Sequence, residues 1–172
     1  MESKITCSIA DTDSKRLEQM SVRWDVFVVE QEVAPVLEID ARDFAGTTTE
    51  LIASDDSKGR VVGAARLLRD GEIAPGEVAN FHIGRVAVRK EARGQGIGER
   101  LMRFAEEVAR SQVPFGGFLL LTLDAQVQAE GFYRRLGYEP TKRRQFYDAG
   151  ILHQEMVKTT TGTDSGSVGE GR

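Results

Sequence analysis

The densest chemistry in the chain lies in Arg93-Gly94-Gln95-Gly96-Ile97-Gly98. Glycines packed this closely leave backbone N–H groups unobstructed and permit positive φ, so the chain can curl around an anion. The residues before the loop read as a strand, with Val86 and Val88 alternating with Arg85 and Ala87 after Ile83. Those after it read as a helix, with Ile97, Leu101, Met102, Phe104, Ala105, Val108 and Ala109 at helical spacing. A strand, a glycine turn and a helix N-terminus together form a phosphate-binding site, because the free N–H groups and the positive dipole end face the ligand. Spacing narrows the choice of phosphate. A nucleotide P-loop needs Lys and then Ser or Thr after its last glycine, and Glu99-Arg100 stands there instead. A dinucleotide fingerprint needs G-x-G-x-x-G, whereas Gly94, Gly96 and Gly98 are spaced by two. The pattern that fits is R-x-x-G-x-G, on Arg93, Gly96 and Gly98.

Proton-transfer chemistry has few candidates. His82 precedes the loop on the same strand, and two-residue alternation puts it on one face with Gly84, Val86 and Val88. An imidazole with pKa about 6.5 is poised as a base there. The phrase from Val22 to Gln31 packs aromatic and β-branched residues at a helix end, then delivers Glu30 and Gln31. Glu38, Asp40, Arg42 and Asp43 follow around Pro35 as either a solvated acidic loop or a rim that attracts a cation. With two His and one Cys, and no metal-like spacing among them, no structural zinc site is expected. Cys7, in an alternating apolar segment, reads as core and cannot form an internal disulfide, which suits a reducing compartment.

The elements that position these residues belong to one domain. A chain of 172 residues with 40% apolar content can bury a sizeable core. A net charge of −4 and the lack of a basic stripe argue against a nucleic-acid partner. Lys142-Arg143-Arg144 reads as a short solvated strand edge. Met1 to Lys4 is no signal peptide and no apolar run approaches about eighteen residues, so a cytoplasmic chain with no membrane partner is expected. A strand is predicted over Ile5 to Ala10, then a helix capped by Asp13 or Ser14 with Leu17, Met20, Val22 or Trp24, and Phe27 on its apolar face. Strands follow over Glu50 to Ser54, Val61 to Arg69 and Phe81 to Val88. After the long helix come an apolar strand from Phe118 to Leu123, a helix from Asp124 to Leu136 ended by Gly137, and a further strand from Tyr138. Glu155 to Lys158 closes the fold, and 159–172, with almost nothing to bury, reads as a disordered tail. The order gives an α/β fold with a mixed central sheet of about six to seven strands and helices on both faces.

That order and four stretches resemble the GNAT N-acetyltransferase superfamily over about residues 3 to 158. Besides the glycine loop, the run from Gln126 to Tyr138 is similar to the family's N-x-x-A-x-x-x-Y-x-x-x-G-F, with Gln126 at the Asn position, Ala129 at the Ala and Tyr133 at the Tyr. Val26 to Gln31 and Gly150 to Met156, with Gly84 to Val88, resemble the ElaA-like branch. The resemblance implies acetyl-CoA as co-substrate, no metal, and direct acetyl transfer to a primary amine, whether small molecule or peptide, by a monomer or homodimer. It implies a sheet splayed after the strand that ends at Val88, with the backbone of Val86, Ala87 and Val88 holding the pantetheine arm. It also implies Arg93, Gly94, Gln95, Gly96, Ile97 and Gly98 around the pyrophosphate, a Gln126 contact to the pantetheine, and Tyr133 as donor to the leaving thiolate. A phenol with pKa near 10 stays protonated at neutral pH and can donate. For the base, His82, His153 and Glu30 all remain open, with Gln31 beside them on the acceptor side. Two other readings remain: a CoA-binding regulatory domain without turnover, and a nucleotide-binding protein.

Overall fold

The computed structural model describes residues 4–161. Its centre is an eight-stranded mixed sheet in the order β1-β2-β3-β4-β5-β8-β6, with β7 also paired to β8. The strands are β1 (Ile5–Ile9), β2 (Thr48–Asp55), β3 (Arg60–Asp70), β4 (Ala79–Val88), β5 (Phe118–Gln126), β6 (Glu139–Pro140), β7 (Phe146–Asp148) and β8 (Ile151–Thr161). Helices α1 (Asp13–Arg23) and α3 (Ile97–Ser111) carry most of the packing, and α2 (Pro35–Glu38) and α4 (Glu130–Arg135) are short. The sheet exceeds the expected strand count because the segment after Gly137 pairs twice with β8, through β6 and β7.

Two cores sit on opposite faces of the sheet. On one, Leu101, Met102 and Ala105 of α3 pack on Leu67, Phe81, Ile83, Leu121 and Leu123. On the other, Val22 of α1 and Val26 just after it pack on Ile52, Val61, Ala64 and Ala87. Only the first helical pattern survives as read. Along α1, Thr12 is the cap, its hydroxyl accepting from the Lys15 N–H, and the buried positions are Gln19, Val22 and Arg23. Leu17 is 68% exposed and Trp24 41%. The reason lies beneath the helix, where Glu50 projects from the sheet to accept from Gln19, and Glu38 and Asp43 accept from Arg23.

The expected long helix over Asp124 to Leu136 is instead a continuation of β5 to Gln126, a 3-10 turn over Val127–Ala129, and the short α4. Register with β8 explains the difference, since Asp124, Ala125 and Gln126 pair with Glu155, Gln154 and His153. Gly137 does end the helix, at φ +89. β8 runs to Thr161, so Thr159, Thr160 and Thr161 belong to the sheet opposite Leu120, Leu119 and Phe118. The rest of the expected tail, 162–172, lies outside the described residues. Lys142, Arg143 and Arg144 are exposed, with Arg143 paired to Glu155.

Candidate active site

Two irregularities in β4 create the site. Parallel pairing with β5 covers only Ala79–His82 against Leu119–Thr122, so the two strands part after the His82–Thr122 pair. Beyond it, the β4 edge that faces β5 has no strand partner among the described residues. The second irregularity is a bulge, where Ala65 of β3 faces both Arg85 and Val86, with Arg85 at φ +54. A bulge inserts one residue and so reverses the alternation. The structure therefore corrects the expected shared face: Val86 and Val88 turn to the α3 side, whereas His82 stays on the α1 side with Gly84. The Arg85 conformation is held from outside the strand, as its guanidinium donates to the Leu37 and Glu38 carbonyls at 3.0 and 3.2 Å.

On the α3 side lies a cavity of about 620 Å³ bounded by Val86, Val88, the glycine loop, Phe132 and Tyr133. Gly94 and Gly96 both have positive φ, +76 and +71, and a Cβ on either would meet open space. Gly98 is needed for a different reason: a Cβ there would stand 3.3 Å from the Phe132 ring. The first backbone bond at the start of α3 is donated by Arg100 to the Gly96 carbonyl. The N–H groups of Ile97, Gly98 and Glu99 precede it and point out of the helix end. This donor cradle fits a pyrophosphate. The Arg93 side chain is not part of it. Its Nε donates to the Val88 carbonyl at 2.9 Å, and its two terminal nitrogens grip Glu30 at 2.7 Å each.

Glu30, one of the three residues read as a possible base, is held in this ion pair. The hydrogen bonds from Arg93 hold its carboxyl below the ordinary carboxylate value, and a carboxylate already bonded twice is a poor acceptor for a substrate proton. Arg93 and Glu30 brace the loop against the helix end after α1.

On the α1 side lies a second cavity, about 320 Å³, that shares Val86, Val88, Ala129 and Tyr133 with the first. Both histidines line it, as do Gln31, Gln126 and Asp124. The chain reaches Gln31 through a wide π-helical turn over Trp24–Glu30, closed by the Gln31 N–H on the Val26 carbonyl. Gln126 donates to Gln31 at 2.7 Å and accepts from Gln128 at 2.8 Å. His153 stacks on Phe146, with centroids 5.9 Å apart, and its Nδ1 lies 2.8 Å from the Ile151 carbonyl. A carbonyl only accepts, so the His153 proton is on Nδ1 and the Nε2 lone pair is free.

His82 is placed differently. Its Nδ1 lies 3.2 Å from Thr122 Oγ1, its Nε2 3.9 Å from Asp124 Oδ2. Burial lowers its pKa below 6.5 and outweighs the pull of Asp124 in the other direction. Tyr133 closes the space between the cavities, its ring edge-on to Phe132 and Tyr138. Its hydroxyl has no hydrogen-bond partner among the described residues, and burial pushes its pKa up to about 12. It is a proton donor at any physiological pH.

The acidic residues Glu38, Asp40 and Asp43 are held in ion pairs with arginines. Arg23 Nε donates to Glu38 at 2.6 Å, and Arg23 and Arg66 each donate to Asp43 at 2.7 Å. Arg66 also reaches Asp40 at 3.0 Å. Burial opposes ionisation of Asp43, yet the bonds from Arg23, the Asp40 amide and Arg66 hold its carboxyl far below normal. Glu50, buried beside this network, is pushed up to about 7 by desolvation. These charges fix the floor beneath Arg85 and the bulge. Among the described residues no group of three or more His, Cys, Asp or Glu is arranged to hold a metal ion, and no helix is long and apolar enough to cross a membrane.

A sheet splayed at one strand edge, a glycine cradle at a helix N-terminus and a tyrosine between two cavities are the arrangement that the GNAT resemblance implied. The family description "Acetyltransferase (GNAT) domain" matches residues 21–160. The chain belongs to the GNAT acetyltransferase family. It is 33% identical over 151 residues to the uncharacterized N-acetyltransferase YjcF of Bacillus subtilis, covering 87% of this chain and 96% of that protein. Protein ElaA of Escherichia coli is 29% identical over 140 residues, covering 81% of this chain and 84% of ElaA. The crystal structure of ElaA superposes with a TM-score of 0.70 at 25% identity, over 91% of this chain and 99% of that one. An acyl-CoA N-acyltransferase from Pseudomonas aeruginosa gives 0.70 at 32% identity, over 91% and 99%. The likeness to the ElaA-like branch first seen in Val26 to Gln31 and Gly150 to Met156 thus extends over most of the chain.

Proposed function

We propose that this protein transfers the acetyl group of acetyl-CoA to a primary amine by direct attack, with both substrates bound together. The observation that carries this reading is the pair of cavities that meet at Tyr133 across the unpaired half of β4. The glycine-loop cavity takes the cofactor, with the N–H groups of residues 94–99 toward the pyrophosphate and the outward backbone groups of Val86 and the Val88 N–H toward the pantetheine, as an added strand would lie. The Val88 carbonyl is already engaged by Arg93. The histidine cavity takes the amine. When bound, the thioester supplies the activated acyl carbon and the thiolate leaving group. Tyr133, protonated and unpartnered, donates to that thiolate. His82 or His153 takes the proton that the amine must lose before it attacks.

The acetyltransferase domain is read as residues 1–158, carried on to Thr161 by β8, in a cytoplasmic setting that suits the single Cys7. The test mixes acetyl-CoA with pooled primary amines and follows free CoA thiol. Amine-dependent release is expected. Tight acetyl-CoA binding without release identifies a CoA-binding regulatory domain, and a thermal shift with ATP or NAD exceeding that with acetyl-CoA identifies a nucleotide-binding protein.

A further inference from the structure

Beneath α1 the clustered charges do not balance. Arg23, Arg66 and Arg85 bring three positive charges, whereas Glu38, Asp40, Asp43 and Glu50 can bring four negative ones. Glu50 is the odd carboxyl. The other three acids each have a guanidinium nitrogen within 3.2 Å, but the nearest to Glu50 is that of Arg23 at 3.8 Å. Glu50 is buried, accepts from Gln19 of α1, and faces the Asp43 carboxyl of the turn over Ala41–Phe44. Facing carboxyls in a dry site keep one proton between them. Asp43, gripped by Arg23 and Arg66, stays ionised. Glu50 therefore holds the proton, and burial pushes its pKa up to about 7. Arg66 carries the complementary gap. Its terminal nitrogens bond Asp40 and Asp43, yet its Nε is buried with no hydrogen-bond partner among the described residues. A buried donor left unpaired is costly, and the residue directly opposite Arg66 across the β2–β3 ladder is Glu50.

We infer that Glu50 and Arg66 form a proton-operated latch with two arrangements. Protonated, Glu50 stays with Gln19 and Asp43. Ionised, it turns to the vacant Arg66 Nε and draws that guanidinium away from Asp40 and Asp43. A charge-assisted bond to Nε favours the second arrangement once the proton is gone. The change reaches the site: Asp40 also lies 3.6 Å from Arg85, and Arg85 and Glu38 line the cavity of about 320 Å³. The wall of that cavity thus shifts as pH crosses neutrality, with no ligand bound.

NMR of the free protein tests the latch directly. One glutamate carboxyl carbon should titrate near neutrality and be missing from Glu50→Gln, and the Arg66 and Arg85 Nε–H resonances should move with the same midpoint. Thermal unfolding gives a second readout. The folded chain holds the Glu50 proton more tightly than the unfolded one, whose glutamates titrate at about 4.3. This contribution to stability is complete below that value and is lost as pH rises through about 7. From pH 5 to 8 the parent Tm should fall by about 5 °C relative to Glu50→Gln, the opposite slope from His82 being common to both. A third arm rests on the transferase reading: thiol release with pooled amines, parent relative to Glu50→Gln, should drop threefold or more between pH 6 and 8.5. No glutamate titrating above pH 6, or Arg66 and Arg85 resonances that ignore the titration, overturns the latch, and the parent alone decides this if the variant does not fold. A release ratio constant across that range overturns it as well. Absence of thiol release at every pH overturns the transferase reading alone, and the resonances then decide the latch.

Discussion

The two cavities meet at one tyrosine but are built from different materials. The cavity proposed for the cofactor is made of backbone. Its donors are amides, its shape comes from glycines at positive φ, and the Arg93 guanidinium beside the loop is spent on Glu30. The acceptor side is made of side chains brought from β4, β5, β8 and the π turn, and its geometry depends on a buried ion network beneath Arg85. A backbone site tolerates almost any side chain beside it, provided the glycines remain. A side-chain site fails or changes specificity with single substitutions. Cofactor binding and turnover should therefore separate cleanly under mutation.

The largest separation is expected at the shared residue. Tyr133→Phe keeps the ring packing and removes only the hydroxyl, so kcat should fall about 10²–10⁴-fold with acetyl-CoA affinity little changed. Calorimetry with steady-state kinetics checks this, and an active Phe variant would make Tyr133 a packing residue. Next comes the pH profile. The groups acting on His82 are Asp124 and Asp70, which raise its pKa, and Arg42 and Arg66, which lower it along with burial. The neutral imidazole is the active form, so kcat/KM should fall as pH drops, with a midpoint below 6.5. His82→Ala should abolish that limb and His153→Ala should keep it. The reverse pattern would move the base to the other wall.

A smaller effect falls on the backbone side. Gly96→Ala places a side chain at φ +71, where it meets no atom but costs about 1–2 kcal/mol of left-handed strain. Acetyl-CoA affinity should drop by roughly tenfold with kcat almost unaltered, read by calorimetry at constant fold. The smallest change is expected at Glu30→Gln. An exposed ion pair contributes about 0–1 kcal/mol, so affinity should weaken severalfold at most and kcat should hold within about twofold. A collapse of kcat there would return Glu30 to the role of base.

How much the sequence disclosed follows the same division. The glycine loop and Gly137 were legible because left-handed backbone selects glycine, which leaves a mark in the letters. Tyr133 was legible by its spacing from Ala129 and Gly137. The bulge was not, because Arg85 adopts φ +54 without being glycine and is held there by carbonyls of Leu37 and Glu38, far away in sequence. Missing it put Val86 and Val88 on the wrong face. The α1 face was misread for a related reason: Gln19 and Arg23 are buried only because Glu50, Glu38 and Asp43 wait beneath them. Thr122 and Asp124 carried a signal that went unused. With Gln126 they set a polar residue at every second position of the second half of β5, the mark of a strand with one wet face, but the apolar Phe118 to Leu121 run before it masked the pattern.

The splay also has a bearing on solubility. A strand edge with unpaired amides is a template for aggregation when it lies on the rim of a sheet. Here the open edges of β4 and β5 lie in the middle of the strand order, with β3 and β8 outside them. The π turn with Phe27 closes one approach and Phe132 of α4 the other. A slender extended molecule can reach those amides, whereas a strand of a neighbouring protein, carrying side chains on both faces, cannot. The protein thus keeps a sticky edge permanently exposed to its ligand and hidden from other chains.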